Sequence, residues 1–428
     1  MKLLIKGSRL IDPDSGYDDI SNILIERGKI TAIGRKVSAK GAKVIEAEGK
    51  IAVPGLIDMH VHLREPGRED EETILSGTRA AGRGGFTAIA CMPNTDPVID
   101  NQGIVKFIYS QTEKVGIVSV FPIGSITKGL RGEELAEIGE LKEAGVVGIS
   151  DDGKPVENSE VMRRALEYAK MFDLVVISHC EDKDLKGEGV MHEGYYSTLL
   201  GLPGIPAAAE EVMVARDLGL AELSGGWLHI AHVSTAGTVE MIRQAKSRGI
   251  RVTCETAPHY FSLTDEAVKD FDTNAKMNPP LRTEEDVEAI KEGLKDGTID
   301  VIATDHAPHT SVEKEVEYTI APFGVIGLET ALSLIITKLV KEDILTLSQA
   351  IAKVSLNPAK ILRIDKGILK VGADADITII DPDREIIVES GAFESKSSNS
   401  PFLDWKLKGA ATMTIVGGRV VMKEGRIL

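Results

Sequence analysis

Between about residues 50 and 310, short β-branched apolar runs alternate with longer stretches in which apolar positions recur every three or four residues. The runs fall at 51–58, 86–92, 117–123, 146–150, 174–178, 227–231, 251–255 and 300–304, and amphipathic stretches lie at 72–83, 159–171, 207–218, 238–248 and 284–295. Several of those stretches stop at a glycine, as helices commonly do. Eight strands alternating with helices predict an α/β fold, a parallel (β/α)8 TIM barrel. The helical period is missing from both ends of the chain. Residues 2–50 and 366–428 read as short strands broken by turns such as Arg27-Gly28-Lys29 and Gly417-Gly418-Arg419. Two β-rich arms flanking a barrel predict one small β domain assembled from both termini, with divisions at 1–53, 54–360 and 361–428. The serine-rich stretch 395–400 reads as an ordinary loop, and 311–322, after the eighth strand, as a polar loop placed to cover a barrel mouth or simply to be solvated.

Composition narrows the function. A chain of 428 residues with 43% hydrophobic content can bury a large core. No run approaches the ~20 uncharged apolar residues of a membrane span, and the first ten residues carry too few apolar side chains for a signal-peptide core, so a cytoplasmic location is expected. Cys91, Cys180 and Cys254 form no Cys-x-x-Cys pair and read as reduced, buried residues. Fifty Lys and Arg against 66 Asp and Glu give a net charge of −16, which argues against nucleic acid and anionic membranes as partners. A small anionic substrate then requires local positive charge, from an arginine or a metal ion.

Metal-type ligands recur at the strand ends. His60 and His62 follow the first strand in Asp58-Met59-His60-Val61-His62, and alternation puts both side chains on one face. His179, His232 and Asp305 each end a further predicted strand, and the carboxyl ends of barrel strands converge on one mouth. Imidazole and carboxylate without thiolate suit zinc or another divalent transition metal. Four imidazoles exceed the needs of one catalytic ion, and two ions need a bridging ligand. Ser150-Asp151-Asp152-Gly153 offers one at the fourth strand, and phase alone leaves Asp151 and Asp152 as alternatives. His229 and His306 are out of phase with the ligands, His259 reads as a supporting or structural residue, and His192 as solvated.

Beyond this set, Pro54-Gly55-Leu56-Ile57-Asp58-Met59-His60-Val61-His62 resembles the opening signature of the amidohydrolase superfamily. Leu63-Arg64-Glu65-Pro66-Gly67, Cys91-Met92-Pro93-Asn94-Thr95, Asn278-Pro279-Pro280-Leu281-Arg282 and Thr304-Asp305-His306-Ala307-Pro308-His309 are similar to motifs of the bacterial type I dihydroorotases. The resemblance spans the chain and implies a composite β-sandwich beside the barrel. It implies one or two zinc ions per subunit: His60, His62 and Asp305 on the first, His179 and His232 on the second, and Asp152 as the bridge. Many relatives carry a carboxylated lysine at the bridge, so aspartate here speaks against the dihydropyrimidinase and hydantoinase branch. The resemblance also gives substrate binding to His62, Arg64, Asn94, Asn278, His309 and the backbone at Phe323 and Gly324, with Asp305 as general base and acid. The activity it implies is reversible cyclisation of N-carbamoyl-L-aspartate to L-dihydroorotate, in a homo-oligomer with aspartate carbamoyltransferase as a candidate partner. The alternatives are another cyclic amidohydrolase, such as an allantoinase or hydantoinase, and a non-catalytic scaffold subunit.

Overall fold

The eight apolar runs all contain barrel strands, but the first run breaks in two. In the computed structural model, which describes residues 2–38 and 40–428, Ile51–Pro54 pairs with Lys2–Asp12 and Ile377–Ile387, whereas Leu56–Val61 pairs with Phe86–Cys91. Met1 and Ala39 of the N-terminal arm lie outside the described residues. Gly55 is the joint between the two sheets. A Cβ there would fall 2.1 Å from Thr87 Oγ1, so a larger residue could not sit there without displacing the next strand. One continuous strand over 51–58 is therefore corrected to two.

The ring continues through Ser119–Pro122, Gly148–Ser150, Val175–Ser178, Leu228–Ile230, Val252–Thr256 and Val301–Ile302. All neighbours are parallel, in arcs of three and five strands, and the bridges Gly124–Ile149 and Val61–His306 close the circle. Met59, Ala90, Ile123, Val175, Ile177, Ala231, Val301 and Ala303, drawn from successive strands, form one apolar cluster inside it. That packed plug confines polar chemistry to the rim.

The helices follow the amphipathic stretches with shifted ends. Ser159–Met171 and Glu284–Asp296 start where the pattern does, and Ala208–Ser224 runs six residues beyond 218. The helix expected from 72 instead begins at Ile74, because Thr73 and Ser76 form a reciprocal capping box. Glu71 and Glu72 are thereby left in the loop above the barrel.

The terminal arms meet in one nine-stranded sheet built from Lys2–Asp12, Tyr17–Glu26, Lys29–Gly34, Lys43–Glu46 and Ile51–Pro54 with Ile377–Ile387, Lys406–Val416, Arg419–Lys423 and Arg426–Ile427. Leu3, Ile5, Ile23, Ile25, Ile377, Ile379 and Met413 give it a core of its own. Among the described residues no helix is long and apolar enough to cross a membrane.

Candidate metal centre and substrate cavity

The six expected ligands come together at the rim. A one-residue bulge in the first strand, between Asp58 and Val61, sets the phase from which His60 and His62 project. His62 Nε2 lies 3.1 Å and His60 Nε2 3.5 Å from Asp305 Oδ1. His60 Nε2, His232 Nε2 and His179 Nδ1 stand 3.4, 3.5 and 3.6 Å from Asp152 Oδ1, and His62 Nε2 is 3.5 Å from Asp152 Oδ2. His60, His62 and Asp305 form one buried triad and His60, Asp152 and His232 a second, with ligand atoms in each within 4.8 Å of one another. Asp151 turns away: its carboxylate accepts from the backbone N–H of Ile126 (2.8 Å) and Thr127 (3.0 Å). Of the two aspartates left open by strand phase, Asp152 is the one facing the histidines.

His232, Asp305 and Arg64 reach the rim on left-handed backbone, with φ of 35°, 48° and 61°. Strand alternation had ended before each of them. Such conformations cost non-glycine residues about 1–2 kcal/mol and persist where surrounding structure enforces them.

The donor set fits a divalent ion. His60 Nε2, Asp152 Oδ1, His179 Nε2 and His232 Nδ1 are buried without hydrogen-bond partners. Each such atom costs about 1–3 kcal/mol when left unmet, and His60 Nε2 and Asp152 Oδ1 face the centre where an ion would meet them. Burial disfavours the Asp305 carboxylate, but His62, His60 and His232 outweigh it and hold its pKa below the usual value. Asp152 is held well below by the same opposition of burial and imidazoles, chiefly His60. Both are thus in the ionised form that metal ligation needs.

Beside the centre is a cavity of about 400 Å3 whose lining includes His62, Arg64, Asn94, Asp152, His179, His232, Asn278, Asp305, His309, Phe323 and Gly324, with His60 below it. A cavity of about 480 Å3 lies elsewhere, between Arg83, Glu329 and Arg384, and its lining has no imidazole or thiol. Asn278 Oδ1 is buried and unpartnered, while Asn94 Oδ1 lies 2.8 Å from His62 Nδ1, which leaves the Asn94 amide NH2 to donate. Arg64 Nε lies 3.0 Å from Glu71 Oε2 and donates to the Pro308 carbonyl at 3.2 Å, so its charge is already half-answered.

Several supporting residues carried no sequence signal. Glu71 Oε1 stands 2.7 Å from His309 Nδ1, and His309 Nε2 donates to the Phe323 carbonyl at 2.8 Å. Glu255 Oε1 lies 2.5 Å from His60 Nδ1, and its other oxygen 3.3 Å from His229 Nε2. His229 therefore sits below the centre, off the cavity, as its phase predicted. Asn399 donates to the Ala307 and Gly324 carbonyls at 3.0 Å, which makes 395–400 a buried brace rather than an ordinary loop.

The segment 311–322 is likewise anchored. Thr310 caps the short helix Ser311–Lys314, and buried Lys314 Nζ donates to the carbonyls of Thr273 (2.9 Å) and Pro322 (2.8 Å). Lys276 Nζ donates to Tyr318 and Thr319 carbonyls at 2.7 and 3.0 Å. Burial pushes the Lys314 and Lys276 ammonium groups down to about 7 and about 8. A purely solvated loop is excluded by these contacts.

The expectation that His192 is solvated is also corrected. It is buried, with Nδ1 3.2 Å from Arg282 Nη1, because Met191–His192 pairs in a small two-stranded sheet with Gly204–Ile205. Among the thiols, burial pushes Cys91 and Cys254 up to about 12 and Cys180 well above its ordinary value, which leaves them protonated and unreactive.

Comparison with known proteins places this geometry in a family. Residues 49–238 match a family model described as dihydro-orotase-like, and residues 205–422 match the amidohydrolase family. The chain is 62% identical to a dihydroorotase of Pelotomaculum thermopropionicum across 99% of both chains, and 58% identical to one of Acetivibrio thermocellus across 100% of both. Among solved structures it is similar to the L-hydantoinase of Arthrobacter aurescens, with a TM-score of 0.90 at 28% identity over 100% of this chain and 97% of that one. A dihydropyrimidinase of Brevibacillus agri, at 24% identity and a TM-score of 0.87, shares the fold across 100% of this chain and 96% of its own. The chain belongs to the dihydroorotase family of the amidohydrolases.

Proposed function

We infer that this protein is a dihydroorotase that interconverts N-carbamoyl-L-aspartate and L-dihydroorotate in pyrimidine biosynthesis. The full-length identity of 62% carries the reading. The guanidinium of Arg64 at the cavity wall supports it, because the ring carboxylate of dihydroorotate is the group that distinguishes this substrate from hydantoins and dihydropyrimidines.

His60, His62 and Asp305 would hold one divalent ion and His179, His232 and Asp152 a second, with Asp152 between them; zinc is the ion we assign. Lewis acidity, which makes water nucleophilic near neutral pH and polarises the ring amide carbonyl, is what bound ions supply here. Arg64, the Asn94 amide and His309 hold the substrate carboxylate, and Asn278 with the backbone at Phe323 and Gly324 orients the ring. Asp305, ionised and at the cavity wall, accepts the proton of the attacking water and returns it to the ring nitrogen as the amide C–N bond breaks. Hydrolysis leaves a carboxylic acid that releases one proton to solvent, and ring closure follows the reverse path: the nitrogen loses its proton to Asp305, which passes it to the departing carboxyl oxygen, and a proton taken up from solvent completes the water. Pro322, Phe323 and Gly324, at the end of the braced segment, wall the cavity beside these groups.

The reading extends to the units 1–53, 54–360 and 361–428, with the barrel as the catalytic unit, and to a cytoplasmic homo-oligomer that associates with aspartate carbamoyltransferase. Light scattering of the protein alone and with the carbamoyltransferase tests the assembly. For the activity, hydrolysis of L-dihydroorotate is compared with that of dihydrouracil, hydantoin and allantoin, with and without the carbamoyltransferase. Selective turnover of dihydroorotate is expected. The solved structures favour one second reading, hydantoinase, and preference for an uncharged ring would establish it instead.

A further inference from the structure

Each imidazole at the centre has one nitrogen facing the ion site and one facing away, and the outward nitrogens differ in what they meet. His60 Nδ1 meets Glu255 and His62 Nδ1 meets Asn94. Such outer partners fix the ring orientation and tautomer of a metal-binding histidine. His179 directs Nδ1 toward Asp152 and His232, and its Nε2 is buried with no hydrogen bond. Glu181 Oε2 lies 3.6 Å from that nitrogen, within one small side-chain adjustment of a hydrogen bond. Glu181 is itself buried, and Lys186 Nζ grips the same oxygen at 2.8 Å. Lys186 also lines the cavity and sits 5.1 Å from the centre of the Phe323 ring, whose other ammonium neighbour is Lys276 at 4.7 Å.

We propose that Glu181 and Lys186 are positioning residues for His179: Glu181 accepts from His179 Nε2 and so sets the affinity of the second ion, while Lys186 holds Glu181 in place and ties that histidine to the Phe323 wall of the substrate cavity. Neither residue touches the reacting atoms. The inference rests on the two-ion reading above. It separates the two ion positions, because Glu181 reaches His179 whereas Glu255 serves His60.

The test is titration of the metal-free full-length protein with Co2+, followed by its visible spectrum, together with elemental analysis of the zinc-loaded protein. Glu181→Ala should weaken the second Co2+ by ~10- to 100-fold and leave the first unchanged, as loss of outer partners does at other metal sites. Glu181→Gln keeps an acceptor and should recover most of that affinity. Should Glu181→Ala fail to fold, Lys186→Met reads the same titration, with a smaller loss confined to the second ion. Equal weakening of both ions would mark a merely structural role and overturn the inference, as would two ions bound with parental affinity in every variant. A parental protein that takes up a single ion overturns the two-ion reading and the inference with it.

Discussion

Replacing Arg64 by Met removes the one guanidinium on the cavity wall while keeping an aliphatic side chain of similar length. In the folded chain its Nε is committed to Glu71 at 3.0 Å and to the Pro308 carbonyl at 3.2 Å, which turns the terminal amino groups, Nη2 3.5 Å from His309 Nε2, toward a substrate carboxylate. A charge-assisted hydrogen bond contributes about 1.5–3 kcal/mol, so kcat/KM for L-dihydroorotate should fall roughly 10- to 150-fold. Dihydrouracil has the same ring amide without the carboxylate, and its kcat/KM should change by less than about threefold. The substitution also strips a buried carboxylate of a partner. Loss of such a partner costs up to about 3–5 kcal/mol, less here because His309 at 2.7 Å and Arg68 at 3.2 Å still face Glu71. The melting temperature should therefore drop, and adding Glu71→Gln should restore it without restoring selectivity. Stopped assays on both substrates, beside thermal melts of the single and double variants, separate the two effects. Equal losses on the charged and uncharged rings would refute the assignment of Arg64 to the carboxylate.

Three further outcomes follow from the same contacts. Asp305→Asn should keep the parental melting profile within a few degrees and lose turnover by at least about 100-fold, measured at saturating dihydroorotate; near-normal turnover would remove it from proton transfer. Burial, reinforced by Arg282, lowers the His192 pKa to about 4, so the folded chain resists a proton that the unfolded chain accepts near its ordinary value of about 6.5. Stability should accordingly fall as pH drops from about 6.5 to about 4, and denaturant melts of His192→Gln should be flatter over that window. Lys314→Met leaves the Pro322 carbonyl without its donor and removes one of the two donors on the Thr273 carbonyl; amide exchange across 315–324 should accelerate by at least about tenfold, with KM for dihydroorotate rising more than kcat falls.

What the sequence disclosed depended on the range of the underlying interaction. The barrel was legible because burial of alternating strands and helices imprints a local period, and the terminal arms were legible because that period stops. The centre was legible because His60, His62, His179, His232 and Asp305 all lie at or within three residues of the carboxyl ends of strands, which share one rim. Supports such as Glu71, Glu181, Glu255 and Asn399 left no trace, since a buried carboxylate or amide is recognised only by partners distant in sequence; Asn399 and Ala307 stand 92 residues apart. Lys314 misled in the same manner, for a lysine in a polar segment reads as solvated until its carbonyl partners are known. The joint at Gly55 was hidden because both flanking runs are apolar and fully buried, so periodicity could not distinguish one strand from two.

The left-handed backbone at Arg64, His232 and Asp305 has a consequence for laboratory evolution. Glycine relieves such a conformation, and at each position the relief of about 1 kcal/mol would come with loss of the side chain that the rim exists to present. A library selected for heat resistance alone would therefore enrich glycine at 64, 232 and 305 and drift toward a sturdier, inert barrel, whereas one selected for growth without supplied pyrimidine would hold all three.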